Sequence, residues 1–401
     1  MHVPIAWGRQ TLNLEIREEN LVPGTRAPIA DNLADPVQAM REALAKPIDY
    51  PPLRLSLTPE DYVGIIVDET IPNLGQLLVP VLEQIRDAQV RPDAITLICP
   101  ATSANQPWLD DLPDEFQDVH VEIHQSSDRK KLAYLATTID GRRIYLNRTA
   151  VDCDQLVLVT RRTYDPVLRV AGAETSLYPG VTEEAAIQEH RTQLTSRVPG
   201  NNPSPLQKEA REISWLLGAP FYVQIIDGAG DGITDILAGP LEASDIGIAR
   251  LHARWRVEYA RPADVVIASI IGDPTRVTMH DLAQAYFNAA RVVKPGGRIV
   301  LLTEAAPPRG PAFEMMRGHD EPSSALSSLM HETPPDLAAG FMWTTAAEQA
   351  RLFLQSGLNV DDVEEMFAVH VGNAAQTRNL LTEHTSCIVL PDAHKTLAVL
   401  V

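Results

Sequence analysis

The chain has 401 residues, which exceeds the size of one typical hydrophobic core and predicts two domains. Its net charge of −19 at pH 7 repels phosphate backbones and anionic lipids, so we expect a small-molecule ligand and neither nucleic acid nor membrane as a partner. No stretch approaches the roughly 18 apolar residues of a membrane span, no secretory signal is evident, and the three cysteines are too scattered for a disulfide framework, so we expect a cytoplasmic location.

Segments typical of strands and helices alternate through the first 260 residues. The β-branched run 63–69 (VGIIVDE) predicts a strand, residues 74–89 have apolar side chains at helical spacing, and 94–100 (AITLICP) predict another strand. Strand, helix and strand with short links are typical of a parallel sheet covered on both faces. Further strands are predicted at 119–125, 143–148 and 155–161.

An acidic segment, 182–197, predicts a helix with Thr182 as its N-cap. The following link, 198–205 (VPGNNPSP), predicts a break in regular structure. Between these segments and the next unit lies a glycine run, 225–235 (IIDGAGDGITD), and the residues after it predict a strand.

A second unit is predicted to begin at residue 261. Residues 265–272 predict a buried strand, 280–293 a helix, and 294–302 (KPGGRIVLL) a turn into the next strand, with Gly296 in a left-handed turn after the helix. The Pro- and Ser-rich segment 307–335 predicts an irregular surface loop. The sequence thus predicts an α/β protein of two domains, 1–260 and 261–401, with mainly parallel, Rossmann-like sheets and a cleft between the domains.

The segment 165–180, DPVLRVAGAETSLYPG, closely resembles the H-P-x-x-G-f-s-G-G-x-K-x-x-x-P-G segment of nickel-dependent lactate racemases. Pro166, Gly172, Pro179 and Gly180 stay in register with that motif. Other pieces resemble the family in the same order along residues 1–305, and they are WGRQTLNLEIREENL, AMREALAKPIDYPPL, VGIIVDETIP, ITLICPATSANQ, ADVVIASIIGDP and AARVVKPGGRIVLLTE.

The resemblance implies a racemase or epimerase of 2-hydroxy compounds. In that family a Lys carries a covalently bound nickel-pincer nucleotide, two His handle the hydroxyl proton, and an Arg clamps the carboxylate. Carried over by position, the Arg falls on Ile71, while Asp68, Thr70 and Pro72 around it match the family's D-x-T-R-P motif. The other positions carried over are Asn105 and Asp165 for the two His, Thr175 for the Lys, Asp281 and Gln284 for a Gln and a Lys of the second domain, and His190 for a retained metal-binding His.

These replacements change the chemistry that the resemblance implies. Ile71 cannot clamp a carboxylate, and Thr175 has no amine for the covalent link. Asp165 is a weak base unless it is desolvated. We therefore expect no covalently bound cofactor and no action on lactate, while nickel or a nickel-pincer nucleotide held in another way stays open.

Several alternative interpretations remain open. By pattern alone His190 is a solvated helix residue and Asp165 begins a turn. A second metal hypothesis uses His120, Glu122 and His124, which alternate onto one face of the strand 119–125. The replaced positions favour a non-catalytic ligand-binding or regulatory protein, and the glycine run suggests a methyltransferase-like enzyme.

Overall fold

The computed structural model describes residues 1–27, 31–138, 141–198, 203–218, 220–380 and 385–401. Its strands are β1 His2–Trp7, β2 Gln10–Glu15, β3 Gly24–Thr25, β4 Val63–Val67, β5 Ile95–Cys99, β6 His120–Ile123, β7 Leu132–Thr137, β8 Arg143–Asn147, β9 Gln155–Arg161, β10 Thr163–Asp165, β11 Arg169–Ala171, β12 Phe221–Asp227, β13 Ile233–Gly239, β14 Arg256–Tyr259, β15 Ala263–Ser269, β16 Val293–Leu302, β17 Arg351–Gln355, β18 Ala368–His370, β19 Cys387–Leu390 and β20 Leu397–Leu400.

The α-helices of the described residues are α1 Pro36–Ala45, α2 Leu74–Asp87, α3 Arg148–Asp152, α4 Ala173–Leu177, α5 Glu184–Arg191, α6 Pro205–Leu217, α7 Ala243–Trp255, α8 Met279–Ala290, α9 Pro311–Met316, α10 Pro322–Glu332, α11 Leu337–Gln349, α12 Val360–Glu364 and α13 Ala374–Asn379. Short 3-10 turns lie at Glu18–Asn20, Leu53–Leu55, Pro92–Ala94, Pro107–Asp111, Asp114–Phe116 and Arg129–Lys131. Among these, no helix is both long and apolar enough to cross a bilayer.

The first sheet has six strands in the order β13-β12-β9-β4-β5-β6. All neighbours are parallel except β12 and β13, which form an antiparallel pair. Every residue of β4 and β12 is buried, because helices and loops cover both faces of the sheet. The strands predicted at 63–69, 94–100 and 155–161 are confirmed.

The second sheet has five parallel strands in the order β18-β17-β16-β15-β19. Helices α8 and α11 pack on one face, and the N-terminal hairpin β1–β2 packs on the other through Ile5 and Leu14. The α/β class with parallel sheets is confirmed, and the boundary at residue 260 stays a prediction. The first 16 residues nevertheless share a hydrophobic core with the second sheet.

A small third sheet, β20-β14-β3, joins distant parts of the chain. Strand β14 pairs in parallel with β20 and antiparallel with β3. The segment 391–396 therefore connects the second sheet, through β19, to this small sheet. This arrangement fixes both ends of a segment that contributes to the candidate site described below.

Several local predictions were wrong. The segment 307–335 forms α9 and α10, each with a proline in its first turn, where the missing N–H costs no helical hydrogen bond. Helix α5 is shorter than predicted, and the Thr182 hydroxyl donates to Tyr145 O instead of capping it. Gly296 has a φ of +71° but lies within β16.

The metal hypothesis for β6 gains no support from the geometry. His120 is exposed, Glu122 accepts hydrogen bonds from Asn147 and Thr149, and the His124 Nε2 lies 2.8 Å from Thr182 O. His124, which follows the end of β6, is buried, whereas His120 is exposed, so the two imidazoles do not share one environment.

Candidate functional site

A cleft of about 690 Å³ lies where the carboxyl ends of both sheets meet. Its walls follow β4, β9 and β12 of the first sheet and β15 and β19 of the second, which is where parallel sheets present their loops to ligands. The lining residues that carry charge or an imidazole are Glu69, Asp111, Arg161, Asp227, Asp231, Arg276, His280, Asp281, His394 and Lys395.

Arg161, the last residue of β9, lies at the floor of the cleft. Its Nη1 donates to Asp227 Oδ2 at 3.0 Å, and its Nε lies 3.7 Å from Asp68 Oδ2. Burial opposes the charge of Arg161, but Asp227, Asp68 and Asp281 together raise its pKa above the ordinary value. Asp227 Oδ1 is buried and has no hydrogen-bond partner among the described residues. The floor is therefore a compact network of fixed charges.

The glycine run 228–232 is a hairpin loop between β12 and β13, closed by a hydrogen bond from Gly228 N to Gly232 O. The Lys395 ammonium donates to Gly228 O at 3.0 Å and also to Gly230 O, while Gly230 N donates to Asp392 Oδ2 at 3.1 Å. Since a strand and not a helix follows this loop, it offers no helix N-terminus to a phosphate. This gives the methyltransferase interpretation no support.

His394 lines the cleft from the segment between β19 and β20. Burial lowers its pKa, Lys395 lowers it further, and Asp281, Asp392 and Asp227 oppose this shift. Burial pushes the pKa of Asp281 upward, but His394 and His280 hold it below the ordinary value. The cleft therefore holds a neutral imidazole next to an ionised carboxylate near pH 7.

The structure brings some of the predicted site residues into this cleft. Thr70, Ile71 and Asp281 are lining residues, and Asp68 lies behind them, where it accepts hydrogen bonds from Thr70 N and Arg161 N. Asp281 also accepts hydrogen bonds from Thr278 N and Oγ1 at the start of α8.

The other predicted site residues are not among those that line the cleft. Asn105 is exposed in the loop after β5. Asp165 Oδ1 accepts hydrogen bonds of 2.7 Å from Val167 N and Leu168 N, which is the turn geometry of the alternative interpretation. Gln284 is buried in α8, one turn after Asp281, and its Oε1 has no hydrogen-bond partner in the described part of the chain.

Thr175 is packed inside its own loop. Its hydroxyl donates to Gly172 O at 2.7 Å and accepts from Gly172 N at 2.8 Å, so both of its functions are used locally. The preceding residue, Glu174, is fully buried and accepts a hydrogen bond of 2.9 Å from Arg162, which is also fully buried. Burial would raise the pKa of Glu174, but Arg162 holds it below the ordinary value.

His190 is buried at the end of α5, where its Nε2 lies 2.9 Å from the Tyr178 hydroxyl. It faces a separate cavity of about 650 Å³, whose walls include Arg142 and Glu209, themselves an ion pair. Burial lowers the pKa of His190, and Arg142 lowers it further. Asn105, Asp165, Thr175 and His190 are therefore not gathered around the cleft.

The residues present do not fit a covalently held nickel-pincer nucleotide. Thr175 supplies no amine, and its hydroxyl is already engaged on both sides. No group of three or more His, Cys, Asp or Glu side chains in the described ranges is arranged to hold a metal ion. The Nε2 of His190 is hydrogen-bonded to the Tyr178 hydroxyl, so this nitrogen is not free to bind a metal ion.

Sequence reasoning missed Arg161, Asp227, His394 and Lys395. Arg161 and Asp227 are the last residues of β9 and β12, and the other two follow β19 closely. Polar residues just after a buried strand mark the ligand-binding edge of a parallel sheet. The position of these four residues at the ends of strands could therefore have indicated a site. It was missed because none of these four residues lies in the motifs that carry the family resemblance.

Comparisons with known proteins agree with this α/β architecture. Residues 7–200 match the family described as the lactate racemase N-terminal domain. The chain is 20% identical to a lactate racemase from Thermoanaerobacterium thermosaccharolyticum, with 98% of this chain and 97% of that protein covered. The structure of the lactate racemase apoprotein from the same organism gives a TM-score of 0.82 at 17% identity, covering 99% of this chain and all of that one.

A protein of known structure from Thermotoga maritima gives a TM-score of 0.64 at 11% identity and covers 93% of this chain and all of that one. Residues 7–200 thus belong to the lactate racemase N-terminal domain family, as the motif at 165–180 indicated, and the whole chain is similar to that lactate racemase in sequence and in fold.

Proposed function

We propose that the chain binds a small, hydroxyl-bearing metabolite in the cleft and that this metabolite is neutral or cationic, so that lactate is not its ligand. The observation that carries this proposal is the charge of the lining. Five carboxylates face three cations there, and they are Glu69, Asp111, Asp227, Asp231 and Asp281 against Arg161, Arg276 and Lys395.

Each of the three cations already has a partner. Arg161 is paired with Asp227, Lys395 donates to the glycine loop, and Arg276 Nη2 donates to Thr70 O at 3.2 Å. An anionic substrate would therefore enter a net acidic cleft. Hydroxyl groups and ammonium groups, in contrast, can donate hydrogen bonds to the carboxylates.

A thermal-shift screen of the purified protein tests this proposal. Neutral polyols and hydroxyketones and small hydroxylated amines are compared with D- and L-lactate at equal concentration. A ligand at 100 times its Kd stabilises the folded state by about 2.7 kcal/mol. We expect a shift with a neutral or cationic compound and none with lactate. A shift with lactate as large as with any neutral compound would contradict the proposal.

The proposal requires no covalently attached cofactor. After co-expression with the enzymes that build the nickel-pincer nucleotide, an intact-mass spectrum should give the mass of the unmodified chain, because Thr175 cannot form the link. An added nucleotide mass, with nickel in the purified protein, would show that the family's cofactor chemistry is retained.

A second candidate is a ligand-binding or regulatory protein without turnover. It is supported by the positions where the resemblance implies catalytic His and Lys, since Asp165 stabilises a turn and Thr175 is engaged in its loop. Incubation of any ligand found by the screen, followed by chiral chromatography, distinguishes the two. Conversion of the ligand would exclude the candidate without turnover.

A further inference from the structure

His394 lies in the cleft but has no role in the proposed binding of a ligand. It lines the cleft, and its Nδ1 is buried without a hydrogen-bond partner among the described residues. The charged groups that act on its imidazole come from several elements, namely Asp281 of α8, Asp227 at the end of β12, and Asp392 and Lys395 of its own segment. His394 is therefore surrounded by charged groups from three parts of the fold and is not an isolated surface residue.

The arrangement suits proton transfer. Burial lowers the pKa of His394, so the ring is unprotonated near neutral pH and can accept a proton. Once protonated, the imidazolium would be stabilised by the carboxylates of Asp281, in α8, and Asp227, at the end of β12.

We propose that His394 is the acid/base residue of the cleft and that its substrate is a neutral molecule with a hydroxyl group on the carbon next to a carbonyl. This inference rests on the proposed binding of a neutral or cationic ligand. A carbon next to a carboxylate would be a poor choice, because removal of its proton would create a second negative charge beside the first in a net acidic cleft. A neutral carbonyl can accept the electron pair.

The step balances without a further reagent. The C–H bond breaks, its proton passes to the imidazole of His394, and its electron pair forms a carbon–carbon double bond as the carbonyl oxygen becomes an enediolate oxygen. Return of a proton to the same carbon restores the carbonyl compound, and return on the opposite face inverts the carbon. Arg161, which lines the cleft and whose Nε has no hydrogen-bond partner among the described residues, is the cation that can stabilise the enediolate.

Deuterium exchange tests this step directly. Wild-type protein is incubated in D2O with dihydroxyacetone, D-glyceraldehyde or D-xylulose, and NMR follows deuterium at the carbon that bears the hydroxyl, after subtraction of a protein-free blank. We expect exchange with at least one probe. The variant H394Q should lower the rate by about 10²- to 10⁴-fold and should keep the probe's thermal shift. The variant H331Q, at an exposed histidine far along the chain, should match wild type.

A pH profile adds a readout that a merely structural role would not change. The exchange rate should fall as His394 becomes protonated at low pH, and in D281N this fall should move to lower pH, since Asp281 raises the pKa of His394. If H394Q does not fold, the pH profile of D281N tests the acid/base role of His394 in its place.

The outcomes separate the two proposals. If no neutral or cationic compound stabilises the wild-type protein, the proposed function fails and this inference fails with it. If a probe stabilises the protein but gains no deuterium, or if H394Q exchanges as fast as wild type, the acid/base role alone is overturned.

Discussion

Arg162 and Glu174 form a buried ion pair, in which each charge is stabilised by the other. Both side chains have no solvent exposure, and Arg162 also donates hydrogen bonds to Gln224 and Ser244. Breaking such a pair by removing one charge leaves the other charge buried and uncompensated. The pair also fixes the loop in which Thr175 lies.

We expect Glu174→Gln to lower the free energy of unfolding by about 3–5 kcal/mol, because Arg162 would lose its counter-charge. Urea unfolding followed by circular dichroism measures this change. Glu83→Gln is the matched control, since the Glu83–Arg41 ion pair has a similar N–O distance, 3.0 Å, but is partly exposed. This substitution should lower the free energy of unfolding by at most about 1 kcal/mol. Equal losses in the two variants would contradict the role assigned to burial.

At the scale of single elements, the turn into α4 depends on Gly172. Its φ is +120°, and a Cβ at this position would lie 2.4 Å from Arg161 O. Arg161 is the floor of the cleft, so a side chain here would press on the site itself. The glycine is required both by its conformation and by the close approach of β9.

Gly172→Ala should destabilise the protein by more than the roughly 1–3 kcal/mol of backbone strain, because the steric overlap adds to it. Gly296→Ala separates the two causes. Gly296 also has a positive φ, +71°, but a Cβ there meets no atom within 4 Å, so only about 1–2 kcal/mol is expected. Thermal unfolding compares the variants, and similar losses would rule out the steric cause.

Strands β4, β5, β9, β15 and β16 of the two sheets could be predicted because each is an apolar run ended by polar or breaking residues. The helices α9 and α10 were missed because Pro311 and Pro322 were interpreted as breakers, whereas the first turn of a helix accepts proline. Part of the cleft, Thr70, Ile71 and Asp281, followed from the resemblance. The contact of Lys395 with Gly228, 167 positions earlier, could not be predicted, since only the folded chain brings the two residues together.

At the scale of the whole molecule, stability should depend on pH through buried histidines. Burial lowers the pKa of four of them, His124, His190, His252 and His394. As the pH falls below about 6.5, the unfolded chain takes up protons that the folded chain does not, so the folded state loses stability.

We therefore expect the melting temperature to be constant above about pH 7.5 and to decrease toward pH 5.5, with up to about 1.4 kcal/mol lost per pH unit for each such histidine. Differential scanning calorimetry at constant ionic strength measures this dependence. The double variant H124Q/H190Q should decrease less steeply than wild type. A slope unchanged by this double substitution would contradict the assignment.

The glycine loop of the cleft is held through its main chain by Lys395, Asp392 and Asn32, and through the side chain of Asp231, which accepts a hydrogen bond from Asp273 N. A new selectivity would best be engineered by keeping Lys395 and Asp392 and varying Thr70 and Val277, which line the cleft, whereas Ile71 is buried in the hydrophobic core and should be kept.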